Sequence, residues 1–79
     1  MQLNELGHIV NFHRKKSGLS QEQLAMVAGV GKTVVYDLEK GKETIKLSTL
    51  IKILNALNIK ISIESPLMKL YSEQTNENG

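Results

Sequence analysis

The sequence contains no cysteine, only one proline, and no apolar run of the length that crosses a bilayer. Without cysteine the chain has no disulfide, no thiolate metal site and no cysteine nucleophile. A membrane-spanning helix needs about 20 consecutive apolar residues, and the N-terminus lacks the basic start and apolar run of a signal peptide. We therefore expect a cytoplasmic protein. Its 79 residues form one domain, and dimerisation is a common source of extra stability for domains this small.

The sequence also lacks a pattern typical of catalysis or metal binding. His8 and His13 are five positions apart, so on a helix they point about 140° away from each other and do not share a metal ion readily. Residues 29–33 resemble the end of a phosphate-binding loop, but Met26 stands where that loop requires its first glycine. We therefore expect no enzymatic activity, no metal and no cofactor.

The formal net charge of +2 lies entirely in the first part of the chain. Residues 1–46 carry seven lysines and arginines against five acids, whereas residues 47–79 carry three of each sign. A basic excess of this size is compatible with nucleic-acid binding but does not establish it.

Capping signals predict two helices in the first 30 residues. The first helix is expected to begin with Asn4 as its N-cap and to end near Ser17. The second begins with a capping box, in which Ser20 is followed three residues later by Gln23. Gly18 and Gly29 follow the two helices and suit the left-handed conformation that often ends a helix.

A third and a fourth helix follow. The third is predicted at about residues 31–40, and the short connection before it makes it cross the second helix steeply, as in a helix-turn-helix. The fourth is expected to be capped by Ser48 and to carry its apolar face on Leu50, Ile51, Leu54 and Leu57. Asn58 is the predicted left-handed residue after it. Residues 1–58 are therefore predicted to form one helical domain.

Residues 59–65 alternate between apolar and polar side chains, and every apolar place is taken by isoleucine. This pattern predicts a β-strand with one buried face. A lone strand needs a partner, and a second copy of the chain supplies one across a two-fold axis. With the axis at Ser62, Lys60 of one copy faces Glu64 of the other, and isoleucine faces isoleucine. The predicted dimer strand contains Ile59, Ile61, Ser62 and Ile63.

Two alternatives for this strand remain open: it packs on its own helices, or it is only a tail. Pro66 ends the strand, so residues 66–79 form a separate C-terminal tail. From Ser72 onward the tail is polar, and we expect its end to be disordered.

The arrangement of these residues resembles the Cro/C1-type (XRE-like) helix-turn-helix family over about residues 4–58. The residues that carry the resemblance are Arg14–Lys15, Gly18–Ala25, Ala28–Val30, Val35, Leu38–Glu39 and Gly41–Lys42. Residues 49–57, with the strand behind them, resemble HipB-type antitoxins more narrowly. The resemblance implies an all-α, lambda-repressor-like fold of four or five helices, with a C-terminal strand that pairs across a dimer. It also implies a cytoplasmic homodimeric repressor that binds a palindromic operator in double-stranded DNA and associates with a HipA-like kinase toxin.

The resemblance places base-reading side chains on the third helix. Lys32, Thr33 and Asp37 match the family's base-contacting positions, and Val34 and Tyr36 flank them. The chemistry of these side chains fits that role, because lysine donates to guanine, threonine contacts several bases, and aspartate accepts from cytosine N4. An ordinary solvated helix face is the alternative interpretation.

The resemblance also assigns contacts to the DNA backbone and one ion pair. Gln21 stands at the start of the second helix, where side chain and backbone bind phosphate, and Lys40, Gly41 and Lys42 match the backbone-contacting loop. Arg14 and Glu39 match positions that form a partly buried ion pair, so Arg14 is expected to be structural first and a phosphate ligand second.

Two details depart from the family, and two other functions stay open. His13 stands at a position that is usually apolar, and Gly31 stands where serine or threonine often caps the third helix. A phage-type or general regulator without a toxin partner is one alternative function. The other is a protein-interaction module that neutralises a partner protein and uses the fold for that purpose.

Overall fold

Five helices follow one another in the computed structural model, which describes residues 2–78 and gives no side-chain placement for Leu3 or residues 76–78. The helices are α1 (Leu3–Lys16), α2 (Gln21–Ala28), α3 (Lys32–Glu39), α4 (Leu47–Ala56) and α5 (Met68–Asn78). The predicted all-α fold is confirmed, and its helix count is five. None of the helices in the described part of the chain is long and apolar enough to cross a membrane.

The first four helices share one apolar core. Its fully buried side chains come from each of them: Val10, Leu24, Val35, Ile53 and Leu54. Leu19 lies just before the α2 cap and packs against this core, as expected for a hydrophobic staple. Because α3 buries only one side in this core, its other side stays available to solvent.

The local signals for the ends of α2 are confirmed. Ser20 Oγ accepts from the backbone N–H of Gln23 at 3.0 Å, and Gln23 Oε1 accepts from the Ser20 N–H at 2.8 Å. Gly29 ends the helix with φ +73°, and Gly18 and Asn58 also adopt the predicted left-handed conformation. These caps hold α2 and α3 at a fixed crossing because only three residues separate the helices.

Gly7 of α1 lies directly against the backbone of α3, a contact that no pattern in the sequence predicted. It is buried, and a Cβ at this position would overlap the Leu38 carbonyl oxygen and lie 3.3 Å from Glu39 Cα. A residue without a side chain is therefore required for α1 to pack directly on the α3 backbone.

Two predicted helix starts are each wrong by two residues. Gln2, rather than Asn4, is the N-cap of α1, and Lys46, rather than Ser48, is the N-cap of α4. The Lys46 carbonyl already accepts from the Leu50 N–H at 3.0 Å, so Ser48 is inside the first turn. Neither cap residue makes a side-chain hydrogen bond to the helix, which is why the preference for a serine cap misplaced the start.

The predicted strand at residues 59–65 is not a strand within the single chain: residues 2–78 contain helices and connections only. The physical reason is that a β-strand requires a ladder of backbone hydrogen bonds to a partner, and this chain offers no second strand. Residues 60–67 instead form an exposed connection from α4 to α5.

The predicted disorder from Ser72 differs from the structure, in which α5 extends from Met68 to Asn78. The Met68 N–H donates to the Ser65 carbonyl at 3.1 Å, and the Tyr71 N–H donates to the Leu67 carbonyl at 3.0 Å. Pro66 suits this first turn because its missing N–H would have no helical partner there. Polarity alone therefore did not distinguish an exposed helix from a disordered tail.

Candidate nucleic-acid interface

The exposed face of α3 carries three polar or aromatic side chains at helical spacing, and its C-cap residue extends that face. Lys32, Thr33 and Tyr36 are exposed, as is the C-cap Lys40, whereas Val35 and Leu38 are buried on the opposite side. The Tyr36 side chain is 47% exposed, which is high for a large aromatic residue. A helix held from behind by its apolar side presents such a face to a groove of DNA.

Val34 and Asp37 lie at the edge of this face rather than at its centre. Val34 is half-buried and packs against the core cluster. Together with Asp37 it lines a groove between α3 and the loop that leads to α4, with Thr44 and Ile45 on the other side. Asp37 keeps one third of its side chain exposed. Of the five residues predicted to read bases, Val34 and Asp37 are therefore half-buried, whereas Lys32, Thr33 and Tyr36 are exposed.

The lysines around α3 each lie near a neighbouring side chain. Lys32 Nζ is 3.6 Å from Glu22 Oε2, Lys42 Nζ is 3.5 Å from Asp37 Oδ2, and Lys40 Nζ lies 5.5 Å from the centre of the Tyr36 ring. Pairs this exposed contribute little free energy. The three ammonium groups are thus free to exchange these partners for phosphates or bases.

The loop after α3 ends the helix with a Schellman motif. The Gly41 N–H donates to the Leu38 carbonyl and the Lys42 N–H donates to the Asp37 carbonyl, both at 3.0 Å. Gly41 has φ +92°, a conformation that favours glycine. Because both backbone N–H groups are already used, the lysine side chains are the groups that this loop offers to phosphate.

The predicted ion pair between Arg14 and Glu39 is present and buried. Arg14 Nε donates to Glu39 Oε2 at 2.7 Å and Arg14 Nη2 donates to Glu39 Oε1 at 2.9 Å, while Nη1 donates to the Leu19 carbonyl at 2.8 Å. The hydrogen bond to Glu39 raises the pKa of Arg14. Burial alone would raise the pKa of Glu39, but its hydrogen bonds outweigh burial and lower that pKa. Both groups therefore stay charged at neutral pH.

Asn11 and Gln21 complete a network around the same carboxylate. Asn11 Nδ2 donates to Glu39 Oε1 at 2.7 Å, and Gln21 Nε2 donates to the same oxygen at 3.2 Å. The structure thus places Gln21, predicted as a phosphate ligand, in a network that joins α1, α2 and α3. Sequence reasoning missed Asn11, although it stands one helical turn before Arg14 and so shares its face.

His13 and the isoleucines after α4 complete the set of predicted residues. His13 is half-buried and its Nδ1 lies 2.7 Å from the Ile9 carbonyl, as expected for a hydrogen-bonded histidine at an apolar position. Ile59 is half-buried against the core, whereas Ile61 and Ile63 are 58% and 71% exposed and the Ser62 between them is exposed as well. In the described residues no cluster of three or more potential ligands could hold a metal ion.

Comparison with known proteins gives one matching family and several relatives. Residues 13–63 match the family described as helix-turn-helix. An uncharacterized HTH-type transcriptional regulator, y4mF, of Sinorhizobium fredii is 39% identical over 78% of this chain and 82% of its own length. Control protein C.SmaI of Serratia marcescens is 38% identical over 71% of this chain and 67% of its own.

Solved structures share the fold. The restriction-modification controller protein C.AhdI of Aeromonas hydrophila has a TM-score of 0.67 and 33% identity, over 73% of this chain and 88% of its own. HipB in a complex described as HipA-HipB-O2-O3 has a TM-score of 0.75 over 84% of this chain and 93% of its own. Its identity is 21%, so this second likeness concerns the fold alone.

Proposed function

The chain belongs to the helix-turn-helix family, and on that premise we propose that it is a sequence-specific DNA-binding repressor that acts as a homodimer on a palindromic operator. The observation that carries the proposal is the exposed face of α3. That face carries Lys32, Thr33 and Tyr36, with Asp37 at its edge, and it lies on a helix fixed from behind by the buried Arg14–Glu39 pair.

In the proposed complex α3 enters the major groove and its N-terminal residues read base edges. Lys32 donates to guanine O6 or N7, Thr33 bonds a base or contacts a thymine methyl, and Asp37 accepts from cytosine N4. Tyr36 and Val34 contribute apolar contacts from the middle and the edge of the face. Lys40 and Lys42 bind phosphates and fix the register of the helix on the duplex.

A dimer is part of the proposal because one α3 covers only a few base pairs. Two copies related by a two-fold axis place two α3 helices in successive major grooves, about 34 Å or a multiple of that distance apart. Residues 59–65 supply the pairing, with Lys60 of one copy opposite Glu64 of the other around Ser62. The support for this pairing is the strict alternation of the segment and the exposure of Ile61 and Ile63.

The test of base reading compares two exposed lysines. Lys32→Ala removes a predicted base contact, whereas Lys52→Ala removes an exposed lysine of α4. We expect the first change to weaken binding to the operator by about 1–3 kcal/mol and the second to leave it within experimental error. If Lys32→Ala binds operator DNA as tightly as the wild type, α3 does not read bases. The protein-interaction module then becomes the better hypothesis.

For the biological setting we propose autoregulation within a toxin–antitoxin operon, in which the protein also binds a HipA-like kinase toxin. Its support is the fold shared with HipB, together with the HipB-like pattern at residues 49–57. A second candidate is a regulator without a toxin partner. The higher identities, 38% and 33%, to the control proteins C.SmaI and C.AhdI favour it.

Co-expression with the product of a neighbouring kinase-like gene separates these two settings. A stoichiometric complex that survives gel filtration, together with relief of toxicity, supports the antitoxin role. A protein that represses its own promoter but forms no complex with that product acts as a regulator alone. Lys32→Ala serves as the control, because it should weaken repression without affecting a toxin complex.

A further inference from the structure

A continuous stretch of exposed apolar side chains begins after the helical core. Every side chain from Lys60 to Thr75 is exposed except that of Met68, which is half-buried. The large apolar ones are Ile61, Ile63, Leu67, Leu70 and Tyr71. Their exposure is unusual because small soluble domains rarely present so many large apolar side chains together.

The same segment makes the chain elongated. The radius of gyration is 15.0 Å and the extents are 43 × 24 × 23 Å, whereas a compact domain of this length has a radius of gyration of about 12 Å. Residues 60–78 therefore extend away from the core rather than completing it.

An apolar groove lies where this segment leaves the core. Its volume is about 510 Å³, and its walls come from α4 and from the connection that follows: Leu47, Ile51, Leu54, Ile59, Ile61 and Ile63. Leu47 is 68% exposed and Ile51 41% exposed, so α4 presents an apolar side to solvent there. The groove and the face of α5 around Leu70 and Tyr71 are thus two uncovered apolar surfaces on one chain.

The dimer register connects these two surfaces. When residues 59–65 pair antiparallel about Ser62, the same register places Pro66 of one copy opposite Asn58 of the other, at the end of its α4. The chain that leaves Pro66 therefore begins α5 beside the partner's groove. With 11 residues α5 is about 16 Å long and α4, with 10, is about 15 Å long, so α5 can lie along the whole of the partner's α4.

We propose that the two copies exchange C-terminal arms, so that α5 of each copy packs its Leu70 and Tyr71 face into the groove on α4 of the other. The occupant of the groove is a second copy of this chain, and the inference rests on the proposed homodimer. The exchange would cover large apolar side chains that are half or more exposed in the single chain, among them Leu47, Leu70 and Tyr71. The strand pairing alone would leave Leu70 and Tyr71 in water.

Disulfide trapping tests the exchange, since a chain without cysteine gives no background. Chains with Ile51→Cys are mixed with chains with Leu70→Cys, re-equilibrated and oxidised. We expect a disulfide-linked dimer in the mixture and several-fold less in either variant alone. In the control mixture Lys52→Cys replaces Ile51→Cys; Lys52 lies about 100° further around α4 and should give no linked dimer above the single variants.

Two further measurements distinguish a failure of the arm exchange from a failure of the homodimer. Ser62→Cys reports the strand pairing at the two-fold axis independently of α5. A further variant carries Ile51→Cys and Leu70→Cys in one chain, so that a linkage within a chain can be told from one between chains. A linked dimer at Ser62 with no linkage between positions 51 and 70, or with a linkage only inside one chain of that variant, overturns the arm exchange and keeps the homodimer. If no linked dimer forms at Ser62 or between positions 51 and 70, both the homodimer and the arm exchange are overturned. Leu70→Ser should raise the dimer dissociation constant ~10-fold or more because each dimer loses two buried leucines, and Lys69→Ser should leave it unchanged.

Discussion

The Leu38 carbonyl of α3 occupies the space that a side chain at Gly7 of α1 would need. Because that obstacle is backbone, it cannot rotate away as a flexible side chain would. Gly7→Ala should therefore destabilise the protein by about 1–3 kcal/mol, as overpacked cores do, even though alanine favours the helix intrinsically. Chemical denaturation measures the change. His8→Ala, at the adjacent exposed position, is the control and should alter the free energy of unfolding by less than ~0.5 kcal/mol.

Replacing Arg14 by methionine leaves a buried carboxylate with only Asn11 and Gln21 as donors. The free energy of unfolding should fall by about 3–5 kcal/mol, since removing one partner of a buried pair strands the other charge. The double variant Arg14→Met, Glu39→Met removes both charges and should be more stable than the single variant. A double variant as unstable as Arg14→Met would show that the stranded charge is not the cause.

The lowered pKa of Glu39 predicts how stability depends on pH. A carboxyl whose pKa is lower in the folded state than in the unfolded state stabilises the fold above the unfolded value, and that contribution is lost as the pH falls through the folded value. The free energy of unfolding should therefore decrease below pH 4.5, the ordinary pKa of the group. Glu39→Gln should flatten this decrease, and Glu43→Gln, at an exposed position, should preserve it.

The lysines after α3 should act on DNA through charge rather than through sequence. Lys42→Ala is expected to weaken binding to operator and to unrelated DNA by a similar factor, and to reduce the slope of log K against log salt by ~1. Anisotropy titrations at four or five salt concentrations measure that slope. If Lys42→Ala weakens binding to the operator alone, Lys42 contacts a base or positions Asp37, its neighbour at 3.5 Å.

Truncation after Ile59 tests the dimer without disturbing the core, against which Ile59 itself packs. A chain of residues 1–59 should keep its helical circular dichroism and thermal transition but sediment as a monomer. Its binding to a palindromic operator should weaken sharply, because the two α3 helices no longer bind as one unit. A truncated chain that remains a dimer would place the dimer interface within residues 1–59.

Short-range signals predicted the ends of α2 and the left-handed residues that follow the helices, although they misplaced the starts of α1 and α4. The Ser20–Gln23 capping box and the left-handed residues Gly18, Gly29 and Asn58 are local geometry, and the structure has all four. The close approach at Gly7 was not predictable in the same way. It depends on the crossing of α1 and α3, and no periodic pattern in one helix reveals where another helix's backbone passes.

In the candidate site, too, some contacts were predictable from the sequence and others were not. The resemblance to a known family placed Arg14 opposite Glu39, and the structure has that pair. Asn11, the third donor to Glu39, was not predicted because it is 28 residues away from Glu39 in the sequence. The alternation of residues 59–65 predicted a strand, yet the pairing of a strand belongs to the assembly and not to one chain. A polar composition after Ser72 likewise did not reveal that α5 continues there.

The central claim is tested most directly by the ratio of specific to non-specific DNA binding. Fluorescence anisotropy of the purified protein would compare its own upstream DNA with a scrambled duplex of the same composition across a salt series. A sequence-reading dimer should bind the upstream DNA ~10³-fold or more tightly than the scrambled duplex at physiological salt. Equal, weak binding to both duplexes with a steep salt dependence would mean that only charge acts, and would contradict the assignment of α3 as a reader of bases.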